Sequence, residues 1–446
     1  MGNTKKTRVQ ESVNELKITC EKMVSLDTCQ TNLKTNVKYM LEGESIITDD
    51  PNIIPEKKIM DPSPDRIKIK CPIFDRCGGC DFLHINYSKQ LNMKEEYVKS
   101  LYQNTSFDPK FLPIIGSDEP LYYRHKVVLS ATTKKGRLRL GLYREYSKEI
   151  IPFIDCFIHE KSTHDIMHSM EDLLNKYKIP AYDYKTNTGM IKHILMRVSH
   201  QTKDVLVVIV TNGNLLPNGK KIVSELTKKH ENIKTVIQNI HHKKTHLVLL
   251  DEEKVLYGKG FIIDEIEGIQ FRISAQSFYQ VNPIQMLKLY NRALDLAKLK
   301  PTDMVLDTYS GIGTISLLAS KHVKEVIAVE SNPMAHKDAL INKKMNNISN
   351  VTFINHDVTE FIQTFNQKID CLIMDPTRDG STETFMNTIK MLKPKKILYI
   401  SCEPKTQVRD VNWIADTYKI ESVQAVDMFS QTVHVESIVL LSLKTA

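Results

Sequence analysis

Three short segments of this chain carry side chains able to do chemistry. Ser401-Cys402-Glu403-Pro404-Lys405-Thr406 follows an apolar run, and so does Asp375-Pro376-Thr377-Arg378-Asp379-Gly380. A cysteine met at once by a polar, proline-containing turn is not packing an interior, so Cys402 reads as a nucleophile. Cys371 opens the apolar run Cys371–Met374 and reads as inert core. A thiolate nucleophile splits one hard step into easier ones, but it needs a base to reverse its addition. Asp427-Met428-Phe429-Ser430-Gln431-Thr432-Val433-His434-Val435-Glu436 offers one. Glu436 is preferred, since burial can tune a carboxylate toward the needed pKa; His434 competes, its other role being to orient Glu436 or a backbone group. The third segment is Cys71-Pro72-Ile73-Phe74-Asp75-Arg76-Cys77-Gly78-Gly79-Cys80, whose glycines let the chain wrap tightly, with Cys156 the available fourth thiolate. Four thiolates suit zinc or a four-iron cluster, and spacing alone leaves the two even. The spacing differs from the three-cysteine pattern of radical enzymes.

A cofactor crevice is also legible. Asp307-Thr308-Tyr309-Ser310-Gly311-Ile312-Gly313-Thr314 follows a first strand, where Gly311 and Gly313 would let a ligand approach the backbone. The second strand ends in Glu330, placed to accept both ribose hydroxyls of a nucleoside. The third is followed by Asp357, read either as an adenine contact or as a helix N-cap. No three-glycine fingerprint and no phosphate-cradling loop with lysine is present, and the sheet ends in an antiparallel pair. Together these favour S-adenosylmethionine over a nicotinamide cofactor. A methyl donor explains why a thiolate is needed. Carbon 5 of a pyrimidine is a poor nucleophile until a thiolate adds to carbon 6, and the carbon-5 proton must afterwards be removed so that the cysteine can leave.

Around these segments, Met304–Leu306, Glu325–Val329, Val351–Ile354, Asp370–Met374 and Lys396–Ile400 read as short buried strands. Helical stretches such as Met334–Met345 and Ser381–Met391 fall between them, which predicts a parallel sheet with helices on both faces. Glu421–Asp427 and His434–Leu441 read as an antiparallel pair closing one edge. Upstream, Val127–Leu129, Leu138–Leu142, Ile194–Val198 and Val205–Val210 predict a β-rich region. Arg124, Lys126, Arg137, Arg139, Arg144 and Arg197 lie on or beside these runs, as a solvated face or as phosphate contacts. Glu11 to Met40 reads as partly helical, Asp49 to Pro55 as a connector, and Pro62 to Pro64 as a turn. The expected organisation is a divergent segment over 1–60, a β-rich central domain with the cysteine cluster over 61–270, and a Rossmann-like methyltransferase domain over 271–446.

The chain has 446 residues, 41% hydrophobic and 26% charged, with a formal net charge of +8 that suits a polyanionic partner without demanding one. No apolar run is long enough for a membrane span, and Met1 to Gln10 lacks the apolar core of a signal peptide, so a cytoplasmic location is expected.

The five motifs Phe278–Asn282, Asp307–Gly313, Asp375–Gly380, Ser401–Pro404 and Asp427–Glu436 occur in an order that resembles the RNA 5-methyluridine methyltransferase family, from about residue 61 to the end. The resemblance implies cofactor contacts from Gln280, Tyr309, Glu330 and Asp375, with Cys402 as nucleophile and Glu436 as base. The subgroup whose cysteine spacing this chain resembles carries a [4Fe–4S] cluster, implied here on Cys71, Cys77, Cys80 and Cys156, structural and RNA-facing. That subgroup modifies 23S ribosomal RNA; a transfer RNA uridine is the nearest alternative, and a monomer is expected. Many relatives carry an N-terminal RNA-binding barrel, but residues 1–60 show neither its glycines nor its alternation, so that domain is expected to be degenerate or replaced. Glu403, Ser430, Thr377 and Thr314 depart from the residues usual in the family. A charged Glu403 close to Cys402 is expected to raise the thiol pKa and weaken activity or shift its pH optimum. Glu403 and Thr314 also motivate a different reading, an RNA-binding or assembly factor without turnover. A cytosine 5-methyltransferase is disfavoured because Thr377 stands where those enzymes place a cysteine.

Overall fold

The computed structural model describes residues 16–48 and 59–444. The expected connector over 49–55 and the polar start of the chain lie outside them. Residues 16–48 form an antiparallel sheet in the order β3-β2-β1-β4, from β1 (Leu16–Met23), β2 (Thr28–Thr31), β3 (Asn36–Lys38) and β4 (Ser45–Thr48). Its small core is Ile18, Cys20, Cys29, Val37, Met40 and Ile46. The helical expectation for 11–40 is therefore wrong for its described part. Alternation is present, with Ile18 and Cys20 buried and Lys17 exposed, but it runs too briefly to stand out.

Helix α1 (Tyr87–Ser100) starts at the N-cap Asn86, whose side chain accepts from the Lys89 N–H, and leads into β5 (Lys110–Ile115). The central sheet follows, from β6 (Lys126–Lys134), β7 (Arg137–Tyr143), β8 (Ile150–Pro152), α2 (Ser162–Lys176), β9 (Ile191–Val198), β10 (Val205–Thr211), α3 (Gly219–Lys229), β11 (Ile233–Ile240) and β12 (Glu253–Tyr257), in the order β12-β11-β10-β9-β6-β7-β8. The β10–β11 pair is parallel and needs the α3 crossover. Strand β10 reads VLVVIVT without polar alternation because both faces are covered. Val205, Val207 and Ile209 pack with α2 and α3 residues such as Ile166, Met170 and Ile222. Leu206, Val208 and Val210 share a core with residues of the next two strands, β13 (Phe261–Ile266) and β14 (Ile269–Ser274). That shared core joins the central sheet to the last part of the chain.

After α4 (Pro283–Ala297) the chain alternates β15 (Met304–Thr308), α5 (Thr314–Ala319), β16 (Glu325–Glu330), α6 (Pro333–Met345), β17 (Val351–Asn355), α7 (Val358–Thr364), β18 (Cys371–Met374), α8 (Glu383–Leu392), β19 (Lys396–Ser401) and α9 (Pro404–Asn412). It ends in β20 (Tyr418–Val426) and β21 (Glu436–Leu443). The sheet order is β17-β16-β15-β18-β19-β21-β20-β5, parallel from β17 to β19. Strands β20 and β21 do pair antiparallel, yet they do not close the edge: β21 slots between β19 and β20, and β5 pairs parallel with β20 outside them. No helix among the described residues is long and apolar enough to cross a membrane.

Candidate active site

Strand register brings the thiol and the carboxylate together. Because β21 runs antiparallel to β19, its first residues lie beside the last residues of β19, and Ser401 pairs with Ser437. Cys402, just past the end of β19, and Glu436, the first residue of β21, therefore lie at the same end of the ladder, close enough for the Glu436 carboxyl to raise the thiol. Asp375 follows β18, the parallel neighbour of β19, at the same carboxyl edge. Glu436 is 2% exposed, and burial pushes its carboxyl up to about 8, with the nearby Asp375 adding and Arg378 opposing. Burial likewise pushes Asp375 up to about 7, while the Tyr290 hydroxyl, 3.4 Å away, favours its charged form. The Cys402 thiol is pushed up to about 11 by burial, then by Glu436 and Asp375, with Arg378 opposing.

Two expectations change here. Glu403 is not the carboxylate that dominates the thiol: Glu436 and Asp375 are, whereas the Glu403 charge is felt by Tyr97 on α1. His434 is pushed down to about 4 by burial, then by Arg378, Lys94 and Arg124, and its ring packs edge-on against Phe429 with centroids 6.1 Å apart. No hydrogen bond among the described residues joins that ring to Glu436, so its orienting role is not seen.

Beside this pair lies an acidic crevice. Glu330 accepts the Gly311 N–H at 2.8 Å and the Asn332 N–H at 2.7 Å, which pins the glycine turn to the end of β16. Asp307 is bonded by the Ser316 hydroxyl, yet its Oδ1 and the Ser310 hydroxyl are buried without partners. Burial, with Asp375 and Glu330 adding, pushes Asp307 up to about 8. A cationic ligand would relieve this repulsion and give the orphaned atoms a partner. Gln280 hydrogen-bonds Tyr290, which in turn faces Asp375. Tyr309 sits at φ +70° with its hydroxyl 3.1 Å from that of Ser381. The two glycines differ: a Cβ on Gly311 would meet open space, whereas one on Gly313 would lie 2.5 Å from the Phe353 ring. Only the first opens the turn to a ligand; the second is needed for packing. Asp357 caps α7, accepting from the Thr359 and Glu360 N–H groups at 2.9 and 3.1 Å.

The loop that delivers Glu436 is held from afar by residues with no sequence signal of their own. Lys94 of α1, fully buried, bonds Asp427 Oδ1 at 2.5 Å and the Phe429 carbonyl at 3.1 Å. Tyr87 and Ser430 both donate to Asp427 Oδ2 at 2.6 Å, so Ser430 completes this network. Asp81 and Phe82 donate backbone N–H groups to the Gln431 carbonyl at 2.8 and 3.0 Å, and Asp81 accepts from the Val433 N–H. On the other side, Asp410 of α9 accepts from Tyr399 at 2.6 Å and from the Ser381 N–H at 2.7 Å, bracing both strand-end loops.

The four cysteines line one small cavity, partly open to solvent, together with apolar residues such as Ile73, Leu142 and Phe153. Burial and the neighbouring thiols raise Cys77 and Cys80, and burial raises Cys156. Among the described residues no three His, Cys, Asp or Glu side chains converge as the ligands of a metal ion. The arginines of the central sheet are mostly engaged. Arg139 pairs with Glu171 at 3.0 Å and Arg144 with Glu149 at 3.2 Å, and Arg137 lies 3.7 Å from Asp172. Arg197 is buried on the Ala275 and Ser277 carbonyls. Arg124 and a half-buried Lys126 remain near the active edge.

Comparison with known proteins places this geometry in a family. The family model described as tRNA (Uracil-5-)-methyltransferase matches residues 86–444. A protein named "Uncharacterized RNA methyltransferase" from Clostridium tetani is 37% identical over 389 residues, covering 86% of this chain and 85% of that protein. One of the same designation from Halalkalibacterium halodurans is 36% identical over 394 residues, covering 86% of each. The crystal structure of the Pyrococcus abyssi tRNA (uracil-54, C5)-methyltransferase in complex with S-adenosyl-L-homocysteine is similar at a TM-score of 0.78 and 25% identity, over 95% of this chain and 99% of that one. With the strand-end thiol, the buried carboxylate near it and this match over most of its length, the chain belongs to the tRNA (uracil-5-)-methyltransferase family.

Proposed function

We propose that the protein transfers the methyl group of S-adenosylmethionine to carbon 5 of a uridine in RNA, through a covalent bond between Cys402 and carbon 6. The observation that carries this reading is the register that brings Cys402 near the buried Glu436. The Cys402 thiolate adds to carbon 6, and the resulting enolate attacks the sulfonium methyl through carbon 5, breaking the methyl C–S bond and releasing S-adenosylhomocysteine as the thioether. Glu436 then takes the carbon-5 proton as the electron pair of that C–H bond expels the thiolate. Gln280, Tyr309, Glu330 and Asp375 are assigned to the donor. The acidic crevice of Asp307, Glu330 and Asp375, with its orphaned oxygen, suits a ligand carrying a sulfonium and an ammonium. Such a ligand, by neutralising Asp375, lowers the barrier to ionising both Cys402 and Glu436.

Cys71, Cys77, Cys80 and Cys156 are assigned to a [4Fe–4S] cluster. What supports the assignment is that all four thiols line one cavity, together with the spacing of Cys71, Cys77 and Cys80. When bound, the cluster would cross-link the 71–80 loop to Cys156. The cysteine set is also the reason for preferring 23S ribosomal RNA to transfer RNA. An assembly factor without turnover is less well supported, since Glu403 acts on Tyr97 and Thr314 merely opens α5.

The test is RNA containing 5-fluorouridine, whose fluorine blocks removal at carbon 5. Wild-type protein with S-adenosylmethionine should form a complex stable on a denaturing gel, and Cys402→Ala should not. Methylation by the Cys402→Ala protein would overturn the mechanism. Separate 23S ribosomal and transfer RNA transcripts, scored for 5-methyluridine, identify the substrate.

A further inference from the structure

With its arginines largely paired or buried, the central sheet shows a different basic surface, built from lysines and tyrosines of three loops. Lys148, in the turn between β7 and β8, lies 4.0 Å above the ring of Tyr184, and Lys244 lies 5.5 Å from the same ring. Tyr184 belongs to the segment between α2 and β9, and Lys244 to the loop after β11. Beneath them Lys192 of β9, 6% exposed, stacks 4.4 Å from the Tyr182 ring and bonds His241 Nδ1 at 3.1 Å and the Lys243 carbonyl at 2.9 Å. Burial, then repulsion from Lys244, pushes its ammonium down. A lysine held there fixes the exposed loop that runs through His242, Lys243, Lys244 and His246.

Charge balance separates this surface from the arginines. Among the described residues no carboxylate lies within ion-pair distance of Lys148, Lys185, Lys192, Lys243 or Lys244, although Asp183 accepts the Lys185 backbone N–H at 2.8 Å. Like charges gathered on flat aromatic faces, without counter-ions from the protein, match a chain of phosphates bearing bases. Lysines supply the phosphate contacts and tyrosine faces the stacking, which every base can use. Val198, at the far end of β9, accepts no part in this surface: its N–H bonds the His125 carbonyl, and His125 in turn bonds Val281 beside Gln280. Six residues of strand separate Lys192 from Val198, or about 20 Å.

We propose that Tyr184, Lys148, Lys244 and the loop fixed by Lys192 form a second RNA contact, taking a single-stranded segment that flanks the target uridine. A base stacks on Tyr184 by displacing Lys148 from its face, and the released ammonium moves to a neighbouring phosphate. This rests on the reading above that RNA is the substrate. It adds where, and in what form, RNA beyond the reacting nucleotide is held.

The experiment measures direct binding of a fluorescein-labelled 20-nucleotide oligo(U) by anisotropy across a salt series, beside the KM and kcat for an unmodified 23S ribosomal RNA transcript. Tyr184→Ala should weaken oligo(U) binding about 10-fold. The double variant Lys148→Gln/Lys244→Gln should make the slope of log K against log salt shallower by about 0.7 for each lysine removed. Both should raise KM with kcat unchanged, and their melting temperatures should match wild type. Wild-type affinity and slope in both variants would overturn the proposal, as would failure of the wild type to bind oligo(U), or a loss confined to a duplex of equal length. Binding is read without methyl transfer, so the two readings fail separately. Oligo(U) binding that depends on these residues, in a protein that methylates no RNA, would leave this surface standing and sink the activity. Methylation with unchanged variants would do the reverse.

Discussion

At Glu436 a carboxyl group is held where water cannot solvate its charge, and its proton affinity rises from the ordinary 4.5 to about 8. The consequence for catalysis has a sign. Below pH 7 both Glu436 and the Cys402 thiol are protonated in the unliganded protein, so kcat/KM should rise with pH between about 6.5 and 9. Glu436→Gln should still allow addition and methyl transfer but not release, so a covalent protein–RNA complex should accumulate on ordinary uridine RNA, visible on a denaturing gel. Free turnover by this variant would remove Glu436 from the role of base. Stability has the opposite pH trend. Between pH 4.5 and 8 the folded protein holds a proton that the unfolded chain releases, so stability falls as pH rises through that window. Relative to wild type, Glu436→Gln should gain roughly 3–4 kcal/mol more at pH 8 than at pH 5, read from urea unfolding at the two values.

Helix α1 and the loop before β21 are more than 300 residues apart in sequence yet share a buried ion pair, Lys94 with Asp427. Such a pair is costly to break, because removing one partner leaves the other charge buried and alone. Lys94→Ala should therefore lose roughly 3–5 kcal/mol in urea unfolding, while Lys94→Met with Asp427→Asn, which removes both charges but keeps an acceptor for Tyr87 and Ser430, should recover most of that loss. The double variant separates folding from positioning. If the pair sets the approach of Glu436, the stable double variant should show a lowered kcat with donor affinity unchanged. A normal kcat would reduce the pair to a packing device. The glycine turn makes a similar point about elements. Gly311 and Gly313 look alike in the sequence, but only the second faces a ring, Phe353, from a neighbouring strand.

Across the whole molecule, the cysteine-lined cavity is wired to the active edge by main-chain bonds. Cys80 is followed by Asp81 and Phe82, whose N–H groups meet the Gln431 carbonyl, five residues before Glu436. Loosening the cavity should therefore be felt at the catalytic loop. In Cys80→Ser, amide exchange should quicken over 429–436 as well as over 71–83, with 304–330 unchanged. Unaltered protection at 429–436 would show that the two regions are independent. The N-terminal sheet leans on the 71–83 loop, with the Tyr39 ring 5.0 Å from that of Phe74, and on the β7–β8 turn, with Lys38 bonded to Glu145 at 2.8 Å.

Much of the last third was legible because its signals are local. Lys396–Ile400 reads as a strand from five consecutive residues, and the turn after Cys402 declares itself by Pro404. Helices α2 and α3 and strand β5 are not legible in the sequence, and β5 gains its role only by pairing with β20, some 310 residues away. The arginines show the limit most directly: their positions are in the sequence, but Glu171 and Glu149, which neutralise two of them, are neighbours only after folding.

By itself the sequence determined which side chains stand at strand ends and that parallel strands alternate with helices, because both depend on near neighbours and on the periodicity of apolar residues. Tertiary structure alone decided that β21 inserts beside β19 so that Glu436 lies near Cys402, and that Asp375 rather than Glu403 joins it in acting on the thiol. Those outcomes depend on register and burial. They are set by contacts between residues far apart in the chain, and no window along the sequence contains them.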